Sequence, residues 1–156
     1  MTNLPFVKPI WAAEPKSYSG AAMTAKYVSL KDAAHIRIMI QTGAWAAGTA
    51  AVTVSQATAV AGTGAKALAI TKVFKDTAVA GTLVETAVAS NTFNLDTANS
   101  LYILEIDSAE LDVAGGFDCL TLAVASPGAN ADFYGVTYLL EDLRYAQATP
   151  PTVLTD

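Results

Sequence analysis

The sequence predicts an all-β fold, a single β-sandwich or jelly-roll-like domain of about eight strands. Three observations carry that prediction. Apolar side chains recur with a period of two along several short stretches, and clusters of Gly, Asn, Asp and Pro separate those stretches. The composition is 53% hydrophobic but only 15% charged, and Thr and Val abound. A period of two places successive side chains on opposite faces of a pleated strand, and β-branched residues suit such a half-buried surface. A chain of 156 residues is long enough to enclose one core, and no repeat or linker divides it.

Residues 1–25 are expected to form an extended N-terminal arm. Pro5, Pro9 and Pro15 lack an amide hydrogen and push the residues before them toward extended backbone. Phe6, Ile10 and Trp11 stand among these prolines as large apolar anchors without periodicity, to be buried on a partner or folded back onto the sandwich. The sandwich domain is expected over residues 26–146, opening with a strand at 27–30. In Ala34-His35-Ile36-Arg37-Ile38-Met39-Ile40-Gln41 the three isoleucines share one face, and His35, Arg37, Met39 and Gln41 share the other. Further strands are expected at 51–55, 67–74, 92–95, 101–106, 119–125 and 134–140. Gly43, Gly48, Gly62-Thr63-Gly64, Asn91, Asn99, Gly115-Gly116 and Pro127-Gly128 mark the turns between them. Ser108-Ala109-Glu110-Leu111 reads as one helical turn with Asp107 as its cap. Residues 147–156 form a short C-terminal tail, with Val153 and Leu154 as weaker anchors.

The charge pattern narrows the function classes. Nine basic residues are scattered along a chain of net charge −5, with no basic patch to meet phosphates, so nucleic acid is not expected as a partner. The N-terminus has no basic region followed by an apolar run, and no apolar run reaches the length of a spanning helix. A soluble protein made in the cytoplasm, with no membrane partner, is expected. The single cysteine, Cys119, excludes an intrachain disulfide and reads as a buried thiol within an apolar strand.

Candidate chemistry is sparse, and neither catalytic residues nor a cofactor or metal is expected. His35, the only histidine, lies on the polar face of its strand and reads as a surface or interface residue. The acidic stretch from Glu105 through Asp107, Glu110 and Asp112 to Asp118 lacks the spacing of a helix-loop-helix calcium site and reads as a solvated loop. Ala61-Gly62-Thr63-Gly64-Ala65-Lys66 lacks the phosphate-loop spacing and precedes a strand, so it reads as a hairpin turn. Tyr134 and Tyr138 share a strand face with Val136 and Leu140 and are expected in the core or an interface, although with Phe133 and Tyr145 they could instead offer a stacking surface for a sugar.

Three segments carry a resemblance to a known family. They are Gln56-Ala57-Thr58-Ala59-Val60-Ala61-Gly62-Thr63-Gly64-Ala65-Lys66-Ala67-Leu68, then Tyr102-Ile103-Leu104-Glu105-Ile106-Asp107 with Leu111-Asp112-Val113 and Gly115-Gly116-Phe117-Asp118-Cys119, and finally Tyr138-Leu139-Leu140 with Arg144-Tyr145. Together they resemble small structural proteins encoded in tailed-bacteriophage morphogenesis clusters, similar in size and pattern to capsid decoration (cement) proteins. The resemblance spans roughly residues 25–146 and leaves both tails outside. It implies a non-enzymatic virion protein on the outer capsid surface, a homotrimer whose partners are the major capsid protein and its own copies. Phe6, Ile10 and Trp11 would then be arm anchors on the lattice, and charge-poor strand faces the trimer seam. A head-fibre, collar or neck component and a carbohydrate-binding β-sandwich are the alternatives.

Overall fold

The computed structural model describes residues 7–77 and 80–143. Among them the chain forms β1 (Lys8–Ser17), β2 (Met23–Thr24), β3 (Val28–Ser29), β4 (Ala33–Thr42), β5 (Ala50–Ala57) and β6 (Lys66–Ala67). After these come β7 (Lys72–Thr77), β8 (Val84–Ala87), β9 (Thr92–Leu95), β10 (Ser100–Asp107), β11 (Cys119–Val124) and β12 (Phe133–Leu143). One antiparallel sheet has the order β1-β12-β4-β10-β7-β8. The other runs β2-β11-β5-β6, with β3 also pairing β11 and β9 also pairing β5. The fold is an all-β sandwich.

Alternation builds its core. Ile36, Ile38 and Ile40 of β4 face inward with Tyr102, Leu104 and Ile106 of β10 and with Tyr134, Val136, Tyr138 and Leu140 of β12. Opposite them lie Val52 and Val54 of β5 and Leu120, Leu122 and Val124 of β11. Each such aliphatic side chain withdrawn from water contributes about 1.5–3 kcal/mol before the entropy of ordering it is counted. Tyr134 and Tyr138 are thus core residues and offer no exposed ring to a sugar. Burial pushes both phenols up from their ordinary pKa, so they stay neutral. Tyr145 lies outside the described residues.

Three sequence expectations need correction. First, the arm expected over residues 1–25 is, from Lys8 to Ser17, an edge strand of the domain's own sheet, paired antiparallel with β12 from Lys8↔Leu140 to Ser17↔Phe133. β2 also lies before residue 25 and pairs with β11. The domain boundary at 25 therefore dissolves. Pro9 is tolerated there because β1 is an edge strand, where a residue without a backbone donor disrupts least. Second, the strand expected at 67–74 is two strands in different sheets. Leu68 donates its amide to Val54 in one sheet, whereas Thr71 accepts from Val88 beside the other, and Leu68 and Ile70 are buried as the chain crosses between them. Third, Asp107 precedes a 3-10 turn (Ser108–Glu110) without capping it through its side chain. The carboxylate is taken by His35. Asp112 does accept from the Gly115 amide in the next turn, at 3.0 Å.

The remaining expected strands are present, and β8 has no counterpart in the reading of the sequence. Gly62-Thr63-Gly64 is the turn of the β5–β6 hairpin, closed by the Thr58 amide donating to Thr63 at 3.0 Å. Gly62 has φ +81° there, and a Cβ would come within 2.9 Å of the Tyr27 ring, so two independent constraints require glycine. The C-terminal tail, residues 147–156, lies outside the described residues.

Candidate functional site

Pleating decides the fate of the three expected anchors. Ile10 points into the sandwich and is 8% exposed, whereas its neighbour Trp11 points away from the core and is 72% exposed. Ile10 is therefore an anchor of β1 on its own domain, correcting its reading as a partner-binding residue. Phe6 lies outside the described residues.

Trp11 begins a row that crosses the outer face of the larger sheet. The register pairs Trp11 with Thr137, Thr137 with Met39, Met39 with Ile103, Ile103 with Phe74, and Phe74 with Glu85. Five interstrand spacings make this row about 24 Å long. Met39, Ile103 and Phe74 are each partly exposed, as are Leu139 and Leu101 in the flanking rows. Phe133, 40% exposed on the same face of β12, extends the apolar surface toward the Ser17 end of β1. Thr137 separates Trp11 from Met39 in this row, but Met39, Ile103 and Phe74 with Leu101 and Leu139 beside them group apolar side chains as interaction surfaces do.

One end of this face is charged, with a single guanidinium shared between two carboxylates. Arg37 donates from Nε to Glu105 at 3.0 Å and from Nη1 to Glu141 at 2.8 Å, tying β4 to both neighbouring strands. One row further, His35 Nδ1 lies 2.8 Å from Asp107 Oδ1. A carboxylate only accepts, so this nitrogen carries the hydrogen. Half-exposed pairs of this type contribute about 1 kcal/mol or less each to stability. Their larger effect is to give this face one polar, acidic edge.

The other chemical candidates are not brought together. His35 lies on the outer face of the larger sheet and Cys119 is fully buried in the smaller one, its thiol 3.1 Å from Asp118 Oδ1. The acidic stretch spreads its carboxylates among separate partners: Glu105 to Arg37, Asp107 to His35, Asp112 to Lys66 and Asp118 to Lys31. Glu110 is raised above the usual carboxylate range, first by burial and then by Asp107. Among the described residues, no group of three or more His, Cys, Asp or Glu side chains is placed to hold a metal ion.

A polar cluster that the sequence reading missed sits where the sandwich opens at β7. Lys75 follows Val73 at a spacing of two and therefore projects toward the inner side, opposite Tyr102 in the register. Its ammonium donates to Asp96 Oδ1 and to Thr97 Oγ1, both at 2.6 Å, and Tyr102 donates to the same Asp96 oxygen at 2.8 Å. Desolvation alone would raise Asp96, but the hydrogen bonds from Lys75, Thr97 and Tyr102 outweigh it and hold the carboxyl at about 2. The one local signal was a lysine at an inward position of an alternating strand. Compared with known proteins, the chain matches no family model, no curated protein and no solved structure.

Proposed function

We propose that this chain is a tailed-phage virion structural protein, a decoration or cement protein that binds the major capsid protein and its own copies on the outer capsid surface. The resemblance of three segments to such proteins supplies the class. The observation that carries the physical argument is the largely apolar row from Trp11 to Phe74, the kind of surface that subunits of an assembly cover. A rigid sandwich supports this use, because a flat β surface loses little conformational entropy on docking. On a lattice, moderate contacts repeated around a homotrimer gain strength through effective concentration.

The test is to mix the protein with undecorated, expanded phage heads and image them by electron cryo-microscopy, alongside Trp11→Ser. Density at three-fold or quasi-three-fold positions, with the Trp11 face against a subunit and occupancy lost in the variant, supports the proposal. Bare heads, or density confined to the unique vertex, would refute it and point to a collar or neck component.

A further inference from the structure

The cluster around Lys75 borders a cavity of about 320 Å³ between β7 and the edge strand β8 of one sheet and β9 of the other. That volume lies at the lower end of the range, about 300–1,000 Å³, typical of small-ligand sites. Its lining has two chemical characters. Val73, Val88 and Phe93 supply apolar surface, whereas Lys75, Thr86 and Asp96 supply polar groups. The position is unusual for an ion pair, because the strand alternation sends Lys75 to the same side as the core residue Val73.

We infer that this cavity binds a small neutral polyhydroxylated ligand, a single sugar residue. The inference goes beyond the assembly role proposed above and does not depend on it. Lys75 and Asp96 neutralise each other, so the cavity offers no net charge to draw in an anion or a cation. A wholly apolar ligand is disfavoured as well, because it would strip water from an ionised carboxylate and a hydroxyl without replacing their hydrogen bonds. A pyranose satisfies both characters. Its C–H face covers Val88 and Phe93, and its hydroxyl rim meets the polar groups.

Asp96 is prepared for this role. Lys75, Thr97 and Tyr102 all donate to Oδ1, at 2.6, 2.7 and 2.8 Å, so Oδ2 keeps its acceptor capacity for hydroxyl donors. Thr86, exposed on β8 and opposite Val73 in the register, adds a hydroxyl that both donates and accepts. Tyr102 is 2% exposed and its ring lies 6.3 Å from that of Phe93, so the wall behind the carboxylate is a packed aromatic pair. A hexose has about 12 non-hydrogen atoms, which at ordinary ligand efficiency gives a Kd on the order of 1 mM.

The experiment is an amide NMR titration of the full chain with D-glucose, D-galactose and N-acetyl-D-glucosamine, each to about ten times that Kd. The expected result is a saturable shift for at least one sugar, centred on Lys75, Thr86, Asn94 and Asp96. Thr86→Ala, a change at an exposed position, should weaken it at least about fivefold. Sodium acetate and sodium phosphate serve as charged probes and should leave those amides unmoved. Strictly linear shifts with every sugar would overturn the inference. So would saturation by acetate or phosphate in place of a sugar, or sugar binding that Thr86→Ala leaves unchanged.

Discussion

Replacing Gly135 with alanine distinguishes a strand that belongs to the sandwich from an arm that merely lies near it, because the two arrangements predict opposite signs. Gly135 faces outward on β12, where a Cβ would lie 2.9 Å from Pro15 Cβ, 3.0 Å from its Cα and 3.2 Å from its nitrogen. Two of those atoms are backbone and the third is held in a ring, so no rotamer change relieves the contact. Either β1 shifts outward or β12 distorts, and overpacking of this kind costs about 1–3 kcal/mol. Against it stands the gain of about 0.5–1 kcal/mol from restricting the unfolded chain when glycine becomes alanine. The expected net effect of Gly135→Ala is a loss of about 0.5–2 kcal/mol. Urea unfolding should show a lower midpoint at unchanged slope. Proteolysis under native conditions should cut earlier within residues 8–17, since the displaced strand loses its ladder to β12. If β1 were a free arm, nothing would meet the new methyl group and only the entropic gain would remain. A midpoint that rises, with residues 8–17 no more susceptible than before, would refute the assignment of β1 to the sheet.

Other expectations follow from neighbouring observations. Ile10→Ala should lower unfolding free energy by about 2 kcal/mol, whereas Trp11→Ser changes it by no more than about 0.5 kcal/mol; equal losses in chemical denaturation would contradict the pleat orientation. Asp96, whose folded pKa is depressed to about 2, contributes stability that is fully present above its ordinary value near 3.8 and is lost as pH falls toward 2. Its side chain is 48% exposed, so solvent screening reduces the contribution to about 1 kcal/mol. Comparing melting temperatures at pH 4.5 and 2.5 should show a smaller drop for Asp96→Asn than for the parent chain, and equal drops would remove the linkage. Cys119 should react with a thiol reagent only as fast as the domain opens, and modification within the mixing time in native buffer would show that its burial is wrong.

What the sequence alone determined was the set of facing residues within the strands that alternate most strictly. Ile36, Ile38 and Ile40, with Tyr134, Val136, Tyr138 and Leu140, could be sorted to one face by counting in twos, since the pleat is a local property of the backbone. The hairpin at Gly62-Thr63-Gly64 and the burial of Cys119 were legible for the same reason. The place of β1 was not legible, because Lys8–Ser17 pairs with a strand more than a hundred residues later, and a proline-interrupted segment with a bulged register carries no clean period. The division of residues 66–77 between two sheets was equally hidden, since the alternation of side chains does not say which partner supplies the ladder. Only the tertiary pairing separated Ile10 from Trp11 as inward and outward residues, aligned Trp11 with Met39, Ile103 and Phe74, and turned Lys75 toward Asp96. A surface row and a seam cavity are assembled from several strands at once, so each depends on register, which no single segment encodes.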